Sequence, residues 1–253
     1  MTFVYDGSWD GYLTAVFDGF YSREREVAIL RERDLGLTLF EVRRADTSPE
    51  KSARVYNAIE AKLSHNTTDA VYRAWLSRLE GMDSDIFRFL KFAFAECRDV
   101  TGMIQHPLVK RVVAAAQAVG MQAHRFLGIL RFQKLGGMYV ADIEPDYDLL
   151  PLITEHFVDR FDAQSFAIRD LRHMRMLLHE GGIEPKTAIV ELEEAVPLKT
   201  DDDFERLWKG YYKSMTIKER INPNYKLRQN FMPKKFWNHI CELSEGQPHI
   251  RTK

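Results

Sequence analysis

The hydrophobic period of this chain changes partway along, and that change limits the folds open to it. Ser48-Pro49-Glu50 reads as a helix start, with Val55, Tyr56, Ile59 and Leu63 following at helical spacing. A second helix is expected from about Thr68 to Glu80. A third begins near Asp85 and carries Ile86, Phe89, Leu90, Ala93 and Phe94, and Pro107 opens a fourth with Val109, Val112, Val113 and Ala116. Residues 48–120 are therefore expected to form a helical layer. From there the pattern turns strand-like. Phe126 to Phe132 and Met138 to Ile143 read as two strands joined by a turn at Lys134-Leu135-Gly136-Gly137. Leu149 to Phe161 has helical spacing, Phe166 to Asp170 and Met174 to Leu178 form a strand pair, and Ile189 to Leu192 adds another strand.

Ahead of this block, Phe3-Val4-Tyr5 suits a short strand. Ser8 suits the cap of a helix to about Tyr21 with Tyr12, Val16, Phe17 and Phe20 on one face, and Leu37 to Val42 suits a second strand. Near the end, Asp201-Asp202-Asp203 would cap a helix carrying Phe204, Leu207, Trp208 and Tyr211. The expected class is α+β, a helical layer beside a mainly antiparallel sheet. One domain over residues 1–253 is expected. It would hold the helical layer (about 48–120), a mixed sheet region (about 122–195) and a basic, aromatic helical segment (about 201–243).

The bulk properties exclude several classes. With 45% hydrophobic and 29% charged residues the composition is that of an ordinary globular protein. No stretch approaches a membrane span, and the start Met1-Thr2-Phe3-Val4-Tyr5-Asp6 is not a leader, so a cytoplasmic location without a membrane partner is expected. Cys97 and Cys241 stand far apart and make neither a disulfide framework nor a zinc ribbon. Neither His-Glu-x-x-His, a Walker loop nor Gly-x-Ser-x-Gly occurs.

Polar residues stand at inward positions of the later half. On the helix from Leu149, the stripe Leu149, Leu150, Ile153, Phe157 and Phe161 has His156 and Arg160 at its edge. Asp170 shares strand parity with Phe166 and Ile168, so an Arg160–Asp170 or His156–Asp170 pair is expected. Arg131 shares a face with Leu127 and Ile129 if that segment is a strand. Two readings stand together: a structural ion-pair network fixing helix against sheet, or an anion-binding or acid/base site with Arg131 and Arg160 as clamps. Asp142, Glu144, Asp146 and Asp148 alternate. Clustered carboxylates suit a hard cation, but Pro145 breaks the strand and no histidine lies beside them. A solvated turn is the preferred reading, and no metal or other cofactor is expected.

The net charge of −1 hides an uneven distribution. Lys209 to Lys235 holds eight bases (Lys209, Lys213, Lys218, Arg220, Lys226, Arg228, Lys234, Lys235) against Glu219, a local +7 that leaves −8 for the rest. Trp208, Tyr211, Tyr212, Tyr225, Phe231, Phe236 and Trp237 are interleaved with them. Cations track phosphates and aromatic faces stack on unpaired bases, so the segment suits single-stranded or flipped-base nucleic acid. Core packing with a solvated basic rim is the competing reading.

Tyr5-Asp6-Gly7-Ser8-Trp9-Asp10-Gly11 with Leu13-Thr14-Ala15-Val16-Phe17, the block from His124-Arg125 to Asp170, and Arg220-x-Asn222-Pro223 with Met232-Pro233-Lys234-Lys235-Phe236-Trp237 together resemble one family. It is a bacterial family described as probable DNA-metabolism proteins, encoded beside radical-SAM proteins and sometimes fused to a uracil-DNA-glycosylase-like domain. Where its pattern carries an acid two places before the histidine, this chain has Gln122. The family-like region uses up the length, so no fused glycosylase-like domain is expected. The resemblance implies DNA and a radical-SAM protein as partners. On that reading Arg220, Lys226, Lys234 and Lys235 contact phosphates, Trp208, Tyr212 or Trp237 stack on a base, and Arg125, Arg131 and Arg160 add to the anion-binding set. His124, His156 and Asp170 are the candidate catalytic groups. An enzyme processing a nucleobase or phosphodiester in its own right, or a non-catalytic adaptor for the radical-SAM protein, are the alternatives.

Overall fold

The computed structural model describes residues 1–22, 24, 26–36 and 41–192. They fall into two compact units, Met1–Gln122 and the chain from Ala123 onward.

The first unit is built on β1 (Thr2–Tyr5), buried at every position and flanked on both sides by parallel partners, β2 (Ala28–Arg31) and β3 (Val42–Arg44). Parallel neighbours need crossovers. The first is α1 (Trp9–Tyr21), which packs on β1 and on α2 (Pro49–Lys62). The Ser8 hydroxyl accepts from Gly11 N at 2.9 Å and starts α1 as expected. Ser48 with Pro49 starts α2 in the same way. A Cβ on Gly11 would run into the Asp6 carboxylate and the Ser8 and Thr47 hydroxyls, so a larger residue there would have to displace the groups that cap α1. The helices α3 (His65–Leu76) and α4 (Met82–Glu96) complete the layer, with α4 packed on β2. Of the strand expected over Leu37 to Val42 only Val42 lies in β3, which runs on to Arg44; residues 37–40 lie outside the described ones.

The segment Phe126–Phe132 is not a strand. Phe126 to Ile129 are the end of α5 (Pro107–Ile129), and Arg131 follows the helix instead of standing on a strand face with Leu127 and Ile129. The buried positions explain this. Val109, Val112, Ala116, Val119, Ala123 and Phe126 step by three and four without interruption, so one helical stripe runs to Phe126.

The second unit carries a five-stranded sheet in order β4-β5-β6-β7-β8: Gln133–Leu135, Met138–Ile143, Phe166–Asp170, Arg175–Glu180 and Lys186–Glu191. Three pairings are antiparallel. Among the described residues only β5–β6 is parallel, and α6 (Leu150–Phe161) supplies its crossover, burying Leu150, Ile153 and Phe157. Gly136, at φ 58°, makes the β4–β5 turn. The protein is α+β, with a mixed sheet that is mainly antiparallel and a second, three-stranded parallel sheet at the N-terminus. The basic aromatic segment, with Arg220, Lys226, Lys234, Lys235, Trp208, Tyr212 and Trp237, lies outside the described residues.

Candidate anion-binding cleft and the arginine–aspartate lacing

Arg131 and Arg160 line one cleft of about 500 Å³ in the second unit. Phe132 and Phe161 line it with them, together with Tyr139, Phe157 and Gln164. Phe132 is the aromatic hub, with its ring centroid 5.3 Å from Phe157 and 4.6 Å from Phe161, while Tyr139 lies 5.4 Å from Phe161. The Lys134 ammonium, outside the lining, stands 5.9 Å over the Tyr139 ring. Arg131 Nη1 donates to the carbonyls of Gly128 and Leu130 at 3.2 and 3.3 Å. Its guanidinium thus satisfies carbonyls at the end of α5 and is held in place by them. Arg160 sits in the last turn of α6, exposed, with no ion pair among the described residues. A guanidinium held at a helix end and a second, exposed one beside aromatic walls can take an anion that carries a flat ring.

Asp170 is fully buried, and neither Arg160 nor His156 is its partner. Its Oδ1 accepts from Arg172 N and His173 N at 3.1 and 3.0 Å, and its Oδ2 meets His173 Nδ1 at 2.7 Å. A partner three residues along the same turn costs little ordering entropy, so the local pair displaces the expected long-range one. A carboxylate on Nδ1 fixes the ring tautomer and leaves Nε2 as the proton acceptor, so Asp170–His173 is chemically able to move a proton. Sequence reasoning missed His173, although Asp-x-x-His between two strands was its signal.

The alternating acids are neither a metal cluster nor a merely solvated turn. Asp142 takes Arg169 through two bonds of 2.7 Å, Asp146 takes Arg172 at 2.9 Å, and Asp148, 1% exposed, takes Arg175. Asp142 and Arg169 are direct register partners across β5 and β6. The arginines at 169, 172 and 175 therefore lace the end of β5 and the loop after it to the end of β6, the β6–β7 turn and the start of β7. Glu144 is exposed, and no group of three or more metal-ligating residues occurs among the described ones. His124 and Arg125 are exposed on α5. His156 is exposed on α6, its ring edge-on to Phe157 at 5.0 Å. Among the described residues no hydrogen bond or ion pair joins His124, His156 and Asp170. The structure brings the two clamp arginines together and leaves the three candidate catalytic groups apart.

The first unit holds a buried polar cluster that sequence reasoning did not foresee. Tyr5 Oη donates to Asp83 Oδ2 at 2.7 Å and accepts from Arg31 Nε and Trp75 Nε1, each at 2.9 Å. Arg31 also pairs with Asp83 at 3.2 Å and lies over the Trp75 ring. Burial, reinforced by the Asp83 charge, pushes the Tyr5 hydroxyl far above its usual range, so it stays a donor to Asp83.

The α+β fold by itself does not say what the cleft binds. A family profile described as a domain of unknown function, DUF4130, matches residues 80–242, and the chain belongs to that family. The match includes every residue of the cleft and of the lacing. No curated protein and no solved structure matches the chain. No helix among the described residues is long and apolar enough to cross a membrane.

Proposed function

We propose that this is a DNA-metabolism protein that binds single-stranded or base-flipped nucleic acid at the Arg131–Arg160 cleft and acts with a radical-SAM partner. The observation carrying the binding part is the meeting of Arg131 and Arg160 with Phe132, Tyr139 and Phe161 around one cleft. Its volume admits a nucleotide, its cations suit a phosphate, and its rings suit a base. The basic segment from Lys209 to Lys235 supports the same reading by charge. The radical-SAM partner and the repair context rest on the resemblance alone, and co-purification from cells expressing both chains tests them. The cleft is tested by fluorescence anisotropy with a labelled single-stranded oligonucleotide, comparing the native protein with Arg160→Gln. The expected result is roughly fivefold weaker binding with an unchanged circular-dichroism spectrum. Equal affinities would remove the cleft from the interface.

The Asp170–His173 pair favours a second reading, in which the protein itself processes a nucleobase or phosphodiester with His173 Nε2 as the general base. His173→Gln would then abolish turnover of damaged oligonucleotides while leaving their binding intact. Turnover that survives this change refutes the reading.

A further inference from the structure

A second cleft of about 460 Å³ lies in the first unit, where Phe17, Phe20 and Tyr21 of α1 face Arg54 and Lys62 of α2, with Cys97 just past α4. Its features are those of a ligand site and not of a packing fault. Tyr21 is 69% exposed and Phe20 is 36% exposed, although both are anchored: Tyr21 lies 4.5 Å from the Phe17 ring, and Phe20 meets Phe87 and Phe94 edge-on. Folding therefore holds large ring surfaces in place without covering them. The charge around them has one sign. None of the described residues lining the cleft is acidic, and Asp18 of α1 is taken by Lys51 at 2.6 Å. The Arg54 guanidinium lies over the Phe17 ring at 5.3 Å and makes no ion pair among the described residues. A stacked guanidinium loses little further freedom when its edge donors take an anion.

We propose that this cleft binds a nucleoside monophosphate, free or at a polynucleotide end, with its base against Tyr21 and Phe20 and its phosphate on Arg54. Lys62, eight residues along α2, adds positive charge at the other end of the cleft. The site does not depend on the cleft of the second unit.

Cys97 is exposed and serves as the reporter. Its alkylation by N-ethylmaleimide is followed on the intact chain by peptide mass spectrometry, with dAMP, a 5′-phosphorylated oligo(dA), adenosine, inorganic phosphate or an acidic amphipathic peptide added. Protection by dAMP supports a free nucleotide and protection by the oligonucleotide alone supports a polynucleotide end, with adenosine and phosphate each weaker. Arg54→Gln is expected to weaken protection about tenfold, and Tyr21→Ala, at an exposed position, a few-fold. With dAMP as the probe, Arg160→Gln is expected to leave protection unchanged, which separates this site from the cleft of the second unit. Unprotected Cys97 at about 10 mM of either nucleotide probe, protection indifferent to both Arg54→Gln and Tyr21→Ala, or protection by the acidic peptide alone would overturn the proposal.

Discussion

Tyr5 shows how much one side chain can hold together. It links Arg31, Trp75 and Asp83 in the core of the first unit, and the two charged members make the cluster costly to break. Asp83→Asn removes the counter-charge of a guanidinium that is 3% exposed, and is expected to cost on the order of 3–5 kcal/mol in urea unfolding. Tyr5→Phe leaves two donors without their acceptor but keeps the ion pair, so about 1–3 kcal/mol is expected. A larger loss for the tyrosine change would show that the phenol, and not the charge, is central. Two surface carboxylates give a pH signature. Burial raises Asp6, but hydrogen bonds from the Ser8 hydroxyl and amide and from Thr47 outweigh it and hold the group below its ordinary 3.8. For Asp99, burial is likewise outweighed by bonds from Thr101 and Ser64. A depressed folded value means the unfolded chain takes up protons first. The stability these groups supply is present above 3.8 and lost as pH falls through their lower folded values. Urea midpoints followed from about pH 5 to about pH 2.5 should fall less steeply in the Asp6→Asn, Asp99→Asn double variant.

At the level of elements, local signals and packing divide the work. The starts of α1 and α2 were legible because a serine cap acts on the amides just after it. Gly11→Ala forces a Cβ onto the Asp6 carboxylate inside that cap, and a loss of about 1–3 kcal/mol in thermal or urea unfolding is expected. A neutral result would mean the α1 start can shift. The β5–β6 pairing depends on Arg169 and Asp142 meeting through two bonds. Arg169→Leu should therefore destabilise by about 2–4 kcal/mol, and Arg169→Lys, which keeps the charge but loses the fork, by less. Equal losses would show that the geometry of the fork carries the pair. The length of α5 was misread because Phe126, Leu127 and Ile129 were weighed for strand propensity, while the stripe from Val109 to Phe126 already carried the helical period.

For the molecule as a whole, charge distribution is the property that reaches beyond any one element. With a net charge of −1, the nucleic-acid binding proposed above has to come from local cation clusters, and on that proposal affinity should fall steeply as salt rises. The slope of log affinity against log salt for a single strand should shrink by about 0.7 when Arg160 becomes Gln. An unchanged slope would mean that this arginine meets no phosphate. The sequence by itself determined the α+β class, the caps of α1 and α2, the stripe of α6 and the strands β5 to β7, because these follow from interactions a few residues long. It also singled out Arg160, at the edge of the α6 stripe, and Arg131, although through a strand face with Leu127 and Ile129 that does not form. Only the tertiary structure decided that these two share a cleft, that Asp170 holds His173, that three arginines claim the alternating aspartates, and that Tyr5 joins Arg31 to Asp83. Each of those depends on which of several nearby opposite charges comes within hydrogen-bond reach, and that distance is set by packing between elements remote in sequence.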